Sequence, residues 1–130
     1  QLFEEMFAQL LAKRIEQSGA SVWLVNTGWI GGVYGEGERI SLKNTRYIID
    51  SILNGSLEEE LKVSDDLFGF EILTKCPNVP NEILNPRKMW PDVNAYDKMA
   101  FKLAKMFNEN FKKFEKGTDK EIFKAGPKIL

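Results

Sequence analysis

The sequence predicts a single α/β unit, and three observations carry the prediction. Apolar residues recur at helical spacing near the start, in the middle and toward the end of the chain. Short apolar or alternating runs of strand length lie between those stretches, and glycine- or proline-rich segments separate the two kinds. At 130 residues and 43% hydrophobic side chains, the chain has the size of one domain and the material for a core, which argues against disorder.

Residues 2–18, "LFEEMFAQLLAKRIEQS", set Leu2, Phe3, Met6, Phe7, Leu10, Leu11 and Ile15 on one stripe. Glu4 and Glu5 suit the first turn, Lys13 and Arg14 come later, and Gly19 is the expected stop. "SVWLV", residues 21–25, is apolar on both faces and predicts a buried strand of a parallel or mixed sheet. "RISL", 39–42, predicts a second strand. "NTRYIIDSILNG" predicts a helix capped by Asn44 or Thr45, with Ile48, Ile49, Ile52 and Leu53 inward and Asn54-Gly55 closing it. Residues 56–66 are acidic and polar, as in a surface connection, and "FGFEIL", 68–73, predicts a strand despite Gly69.

From Pro77 to Pro91 four prolines punctuate an irregular segment. A long amphipathic helix follows over about 95–114, with Tyr96, Met99, Ala100, Leu103, Met106, Phe107, Phe111 and Phe114 on its apolar face. Lys112, Lys113 and Lys116 suit its C-terminal dipole. "TDKE", 118–121, has the form of a capping box for a short last helix ended by Gly126-Pro127. No repeat, low-complexity tract or linker divides residues 1–130, which read as one domain.

Composition removes several function classes. Eighteen basic against nineteen acidic side chains give a net charge of −1, which argues against general attraction to nucleic acid or to anionic membrane. No histidine is present, so Ser-His-Asp and Cys-His catalysis and the usual Cys/His zinc site are excluded from this chain. Cys76 is the only cysteine and cannot form an internal disulfide, so a cytoplasmic setting is expected. No apolar run reaches the roughly 18–20 residues of a membrane span, and the first residues are not expected to act as a signal peptide. A start at Gln1 rather than Met is expected of a trimmed product or a piece of something longer.

Glycines at 28, 31, 32, 35 and 37 are the strongest local feature. Gly32 and Gly37 have the G-x-x-x-x-G spacing of a phosphate loop, but the next residues are Glu38 and Arg39 where Lys and Ser or Thr are needed. The dinucleotide pattern also fails, since Gly35-x-Gly37 leads to Ile40. A structural turn and a ligand loop of another kind both remain open. Arg39, directly after the loop, suits phosphate or ribose oxygens with its five-donor fork, or a surface salt bridge to Glu36 or Glu38. Thr45 suits a helix cap, or a hydroxyl that also meets a ligand at a helix start. Trp23, Trp29 and Trp90 suit core or cleft wall, and Cys76 carries no nucleophile signature.

Taken whole, "VWLVNTGWIGGVYGEGERISLKNTRYIIDSILNGSL" closely resembles the C-terminal part of ATP-dependent phosphoenolpyruvate carboxykinases. The matching positions are Val25 to Trp29, Arg39-Ile40, Thr45-Arg46 and Asn54-Gly55. "ILNPR", 83–87, and "AGPK", 125–128, resemble later family elements in the right order. The resemblance implies the C-terminal part of the nucleotide-binding domain of that family, a mixed sheet with flanking helices. It implies an enzyme, a lyase of gluconeogenesis, that converts oxaloacetate and ATP to phosphoenolpyruvate, ADP and carbon dioxide.

The resemblance also implies that Mg2+ and Mn2+ serve the complete enzyme. The phosphate loop, metal ligands, catalytic groups and oxaloacetate-binding arginines would lie in a missing N-terminal part. Within this chain it implies nucleotide contacts at Arg39, Ile40 and Thr45, the adenosine side of an ATP site. Two departures stand out. Glu38 replaces a common lysine, either a charge reversal beside an anionic ligand or a solvent-facing position. Val33 replaces a frequent proline. The competing expectation is a stand-alone nucleotide-binding or interaction module without catalysis.

Overall fold

The computed structural model describes residues 2–116, 118 and 120–129, with side chains described from Met6 onward. The chain runs through helix α1 (Leu2–Ser18), strands β1 (Trp29–Ile30) and β2 (Glu38–Arg39), helix α2 (Leu42–Leu53), strands β3 (Lys62–Ser64) and β4 (Glu71–Leu73), a 3-10 turn (Asn81–Leu84), and helices α3 (Pro86–Met89), α4 (Val93–Phe111) and α5 (Lys120–Lys124). An α/β composition is present, but the expected mixed sheet is not. Among the described residues the strands form two separate two-stranded antiparallel ribbons, β1–β2 and β3–β4.

Helix α1 ends as the sequence predicts. Gly19 takes φ +64°, and its N–H donates to the Ile15 carbonyl at 3.0 Å. Its stripe, however, is uncovered: Met6, Phe7, Leu10 and Leu11 all face solvent. The side chains of Leu2, Phe3, Glu4 and Glu5 lie outside the described residues.

The strand expected at 21–25 does not form. Val22 is 64% and Leu24 78% exposed. A strand exists only as a rung of a ladder, and no described strand pairs with this segment, so apolar content alone cannot make one. Trp23 is the exception. Its half-buried ring packs on the core and lies 5.4 Å below the Lys62 ammonium.

The strand expected over 39–42 is cut short at Arg39, because Ser41 caps a helix that begins at Leu42. Ser41, rather than Asn44 or Thr45, is the N-cap: its hydroxyl accepts from the Asn44 N–H at 3.2 Å. The helix closes at Asn54-Gly55 as expected, with Gly55 at φ +76°. Ile48 and Ile52 are partly buried, whereas Ile49 and Leu53 are exposed.

Strand β3 arises inside the stretch expected to be a plain connection, and only the end of "FGFEIL" pairs with it. Asp65 turns the chain between them. Its carboxylate accepts from the N–H groups of Leu67 and Phe68 at 2.8 and 3.0 Å, and its carbonyl accepts from Gly69, which sits at φ +73°.

The core is small. Leu57, fully buried, with Cys76 and Val79, is surrounded by Trp23, Tyr47, Ile48, Ile52, Leu73, Ile83 and Leu84. The proline segment supplies this wall instead of remaining irregular, since Asn85 caps α3 through the Lys88 N–H and Pro86 occupies its first position. Arg87 then clamps α3 to α4 through a fork onto Asp97, at 2.8 and 2.9 Å.

Along α4, Ala104 is buried and Tyr96, Ala100 and Phe111 partly so, but Met99, Leu103, Met106 and Phe107 are exposed. The chain end folds back: Asn108 donates to the Pro127 carbonyl, and the Lys128 N–H donates to Leu67 in the Asp65 turn. Helix α5 begins at Lys120, so the capping position Asp119 lies outside the described residues. The Thr118 hydroxyl donates to the Phe114 carbonyl.

Candidate functional site

The β2 strand, the Ser41 cap and the first turn of α2 carry the three expected contact residues, Arg39, Ile40 and Thr45, on one short stretch of chain. Trp29 stands opposite Arg39 and Ile30 opposite Glu38. The Ile40 N–H donates to the Gly28 carbonyl at 3.0 Å and carries the pairing one residue further. Ser41 then leaves the ribbon with an extended backbone and caps α2.

Alternation along a strand decides which side chains share a face. Arg39 and Trp29 stand together on one face, and Glu38 and Ile30 on the other. Glu38 is therefore directed away from Arg39, which favours the solvent-facing account of the lysine replacement. Arg39 is exposed, and among the described residues it makes no ion pair with Glu36 or Glu38. The salt-bridge alternative is thus not realised, and the guanidinium keeps its donors for another acceptor.

Ile40 and Thr45 are both buried. The Thr45 N–H and hydroxyl both donate to the Ser41 carbonyl, at 3.0 and 3.2 Å. The hydroxyl proton is thereby used within the helix, and the oxygen retains lone pairs, so toward a ligand Thr45 is an acceptor. Lys43 and Arg46 flank the same helix start on the exposed surface, and Lys43 lies 5.9 Å from the Tyr47 ring centroid. Together with the unpaired N–H groups of the first turn, they make the beginning of α2 attractive to anions.

Trp29, opposite Arg39, meets Tyr34 edge to face, with centroids 5.1 Å apart and planes at 74°, and both rings are exposed. An exposed aromatic face, a guanidinium and a nearby helix start suit a ligand with an aromatic part and anionic or hydroxyl oxygens. Sequence reasoning missed Ser41, although a serine three residues before Asn44 was the available signal. Among the described residues no group of three or more Asp, Glu or Cys side chains is placed to hold a metal ion.

A sequence profile of the phosphoenolpyruvate carboxykinase family, in its ATP form, matches residues 1–82. Among curated proteins, phosphoenolpyruvate carboxykinase (ATP) of Flavobacterium johnsoniae is 46% identical over 121 residues, 93% of this chain and 23% of that protein. The Thermus thermophilus enzyme of the same name is 46% identical over 123 residues, 95% of this chain and 23% of its own. Phosphoenolpyruvate carboxykinase (ATP) 1 of Moorella thermoacetica reaches 51% over 110 residues, 85% of this chain and 21% of its own. The chain spans about a quarter of the length of these relatives, 21–23%.

Proposed function

Because the chain belongs to the ATP-dependent phosphoenolpyruvate carboxykinase family, we propose that it is the segment of such an enzyme that forms the adenosine side of the ATP site. The complete enzyme would convert oxaloacetate and ATP to phosphoenolpyruvate, ADP and carbon dioxide, in the cytoplasm and in gluconeogenesis. The remaining part of the polypeptide would supply the phosphate loop, the Mg2+ and Mn2+ ligands and the oxaloacetate contacts. The observation that carries the reading is the Arg39 guanidinium, unpaired among the described residues, beside the cationic start of α2 and on the same ribbon face as Trp29.

Each residue has a role that its geometry suits. Arg39 would hold ribose or phosphate oxygens with charge-assisted hydrogen bonds. Ile40, fixed by its backbone bond to Gly28, would close the apolar side of the base slot. Thr45 would accept a hydrogen bond from the nucleotide through its free lone pairs. None of these groups moves a proton or breaks a bond, so the segment binds and orients while the chemistry occurs elsewhere. A stand-alone nucleotide-binding module is the weaker reading, because the apolar stripes of α1 and α4 stay uncovered in this chain.

The test is Arg39→Ala in the complete enzyme. Loss of a charge-assisted contact of about 1.5–3 kcal/mol raises KM for ATP roughly ten- to hundredfold with kcat little changed. An unchanged KM removes Arg39 from the site.

A further inference from the structure

Gly32 and Gly37 stand at the mouth of the excursion that joins β1 to β2, and their backbones lie directly against each other. A Cβ built on Gly37 would sit 2.5 Å from the Ile30 carbonyl oxygen and 2.9 Å from both the amide nitrogen and the carbonyl oxygen of Gly32. A Cβ on Gly32 would sit 2.9 Å from the Gly37 nitrogen and 3.2 Å from its Cα. All of these obstacles are main-chain atoms, which cannot swing aside as a side chain can.

The need for glycine here differs from that elsewhere in the same loop. Gly31 and Gly35 take φ of +76° and +93°, where glycine is favoured for conformational reasons. Gly32 and Gly37 have no such φ, so only the space between the two backbones forbids a side chain. The loop is drawn tight from within as well: the N–H groups of Glu36 and Gly37 both donate to the Val33 carbonyl at 3.0 Å.

From this contact we propose that Gly32 and Gly37 form a backbone clasp that positions Arg39 and Ile40 for the nucleotide. The proposal rests on the reading of this surface as one side of an ATP site. Gly37 is two residues before Arg39, and Gly32 is two residues after Ile30, which pairs with Glu38. Any side chain at the clasp wedges the strands apart at the rung beside Trp29 and Arg39. A 2.5 Å separation falls short of the 3.4 Å of ordinary contact, so its relief requires a shift approaching an ångström, and a misplacement of about 1 Å costs up to roughly a hundredfold in a positioned site. The clasp is a positioning device: neither glycine touches the ligand.

The experiment compares Gly37→Ala, Gly32→Ala, Gly35→Ala and Arg39→Ala in the complete enzyme, with KM for ATP and kcat measured separately. Gly32→Ala meets the milder obstacles and supplies the reading if Gly37→Ala fails to fold. Gly35→Ala is the control, since it strains the same loop while a Cβ there meets nothing within 4 Å. The expected result is a KM for ATP raised about tenfold or more in the clasp variants, with kcat retained and Gly35→Ala near the unsubstituted value. If Arg39→Ala raises KM and both clasp variants leave it unchanged, the clasp is overturned and the nucleotide reading stands. A Gly35→Ala effect equal to that of the clasp variants also overturns it, as general loop strain would then suffice. If Arg39→Ala itself leaves KM unchanged, the nucleotide reading falls and the clasp's role falls with it.

Discussion

Arg39 and Glu38 are neighbours in sequence with opposite charges, and a ribbon only two residues long on each side separates their fates. The alternation that puts Arg39 with Trp29 sends Glu38 to the side of Ile30. An exposed carboxylate on the far face acts on a bound anion only through screened, high-dielectric space, where such interactions are worth little. Glu38→Ala in the complete enzyme should therefore change KM for ATP by less than about twofold, against the much larger effect at Arg39. A titration of KM against ionic strength checks the same point: the small Glu38 effect should vanish first as salt rises.

Among the elements, α2 is the one that ties binding to folding. Its N-cap, Ser41, satisfies the Asn44 N–H, and the carbonyl of the same residue holds Thr45 by both its N–H and its hydroxyl. Ser41→Ala should cost about 1 kcal/mol, read from the denaturant midpoint, with Ser41→Asp recovering most of it. The α3–α4 pair depends on a different contact, the exposed fork of Arg87 on Asp97.

Hydrogen bonding to Arg87 is the main reason that the Asp97 carboxyl is held below its usual range, and Asp97 in turn raises Arg87. The folded-state value of Asp97 is depressed, so the clamp contributes above the ordinary aspartate range of about 4 and is lost as pH falls through the lower folded value. An NMR titration should show the Arg87 Nε–H signal persisting to pH below about 4 before it broadens, and Asp97→Asn should remove that acid transition. Tyr96 lies beside this clamp with its edge to Trp90, and burial, ahead of the nearby Asp65 and Asp97 charges, pushes its phenol up.

At the scale of the molecule, a small core carries long elements with uncovered apolar faces. Leu57, Cys76 and Val79 are the centre of that core, and only Leu57 among them is a large side chain with no exposed surface. Leu57→Ala should therefore cost about 2–5 kcal/mol, a large part of the roughly 5–15 kcal/mol that holds an ordinary domain. Chemical denaturation with the slope monitored checks this, since a simple loss of stability moves the midpoint and leaves the slope unchanged. The exposed stripe of α1, the unpaired segment 21–25 and the outer face of α4 agree with a chain that spans about a quarter of its relatives.

What the sequence determined by itself was local. Helices α1, α2 and α4 were legible from their 3.6-residue period, Gly19 and Gly55 from the left-handed backbone that ends a helix, and the family from one run of motifs around Arg39. These features depend on residues close together in the chain, so spacing and composition suffice to read them. The start of α2 was misplaced because Ser41, Asn44 and Thr45 are all good caps, and only backbone geometry selects among them. Tertiary structure alone decided that "SVWLV" has no ladder, that "KVS" has one with "EIL", that Glu38 faces away from Arg39, and that Gly32 meets Gly37. Each of these is a relation between two separate stretches of backbone, or its absence. A strand, a face or a close approach is a property of two stretches of backbone, and neither stretch encodes it alone.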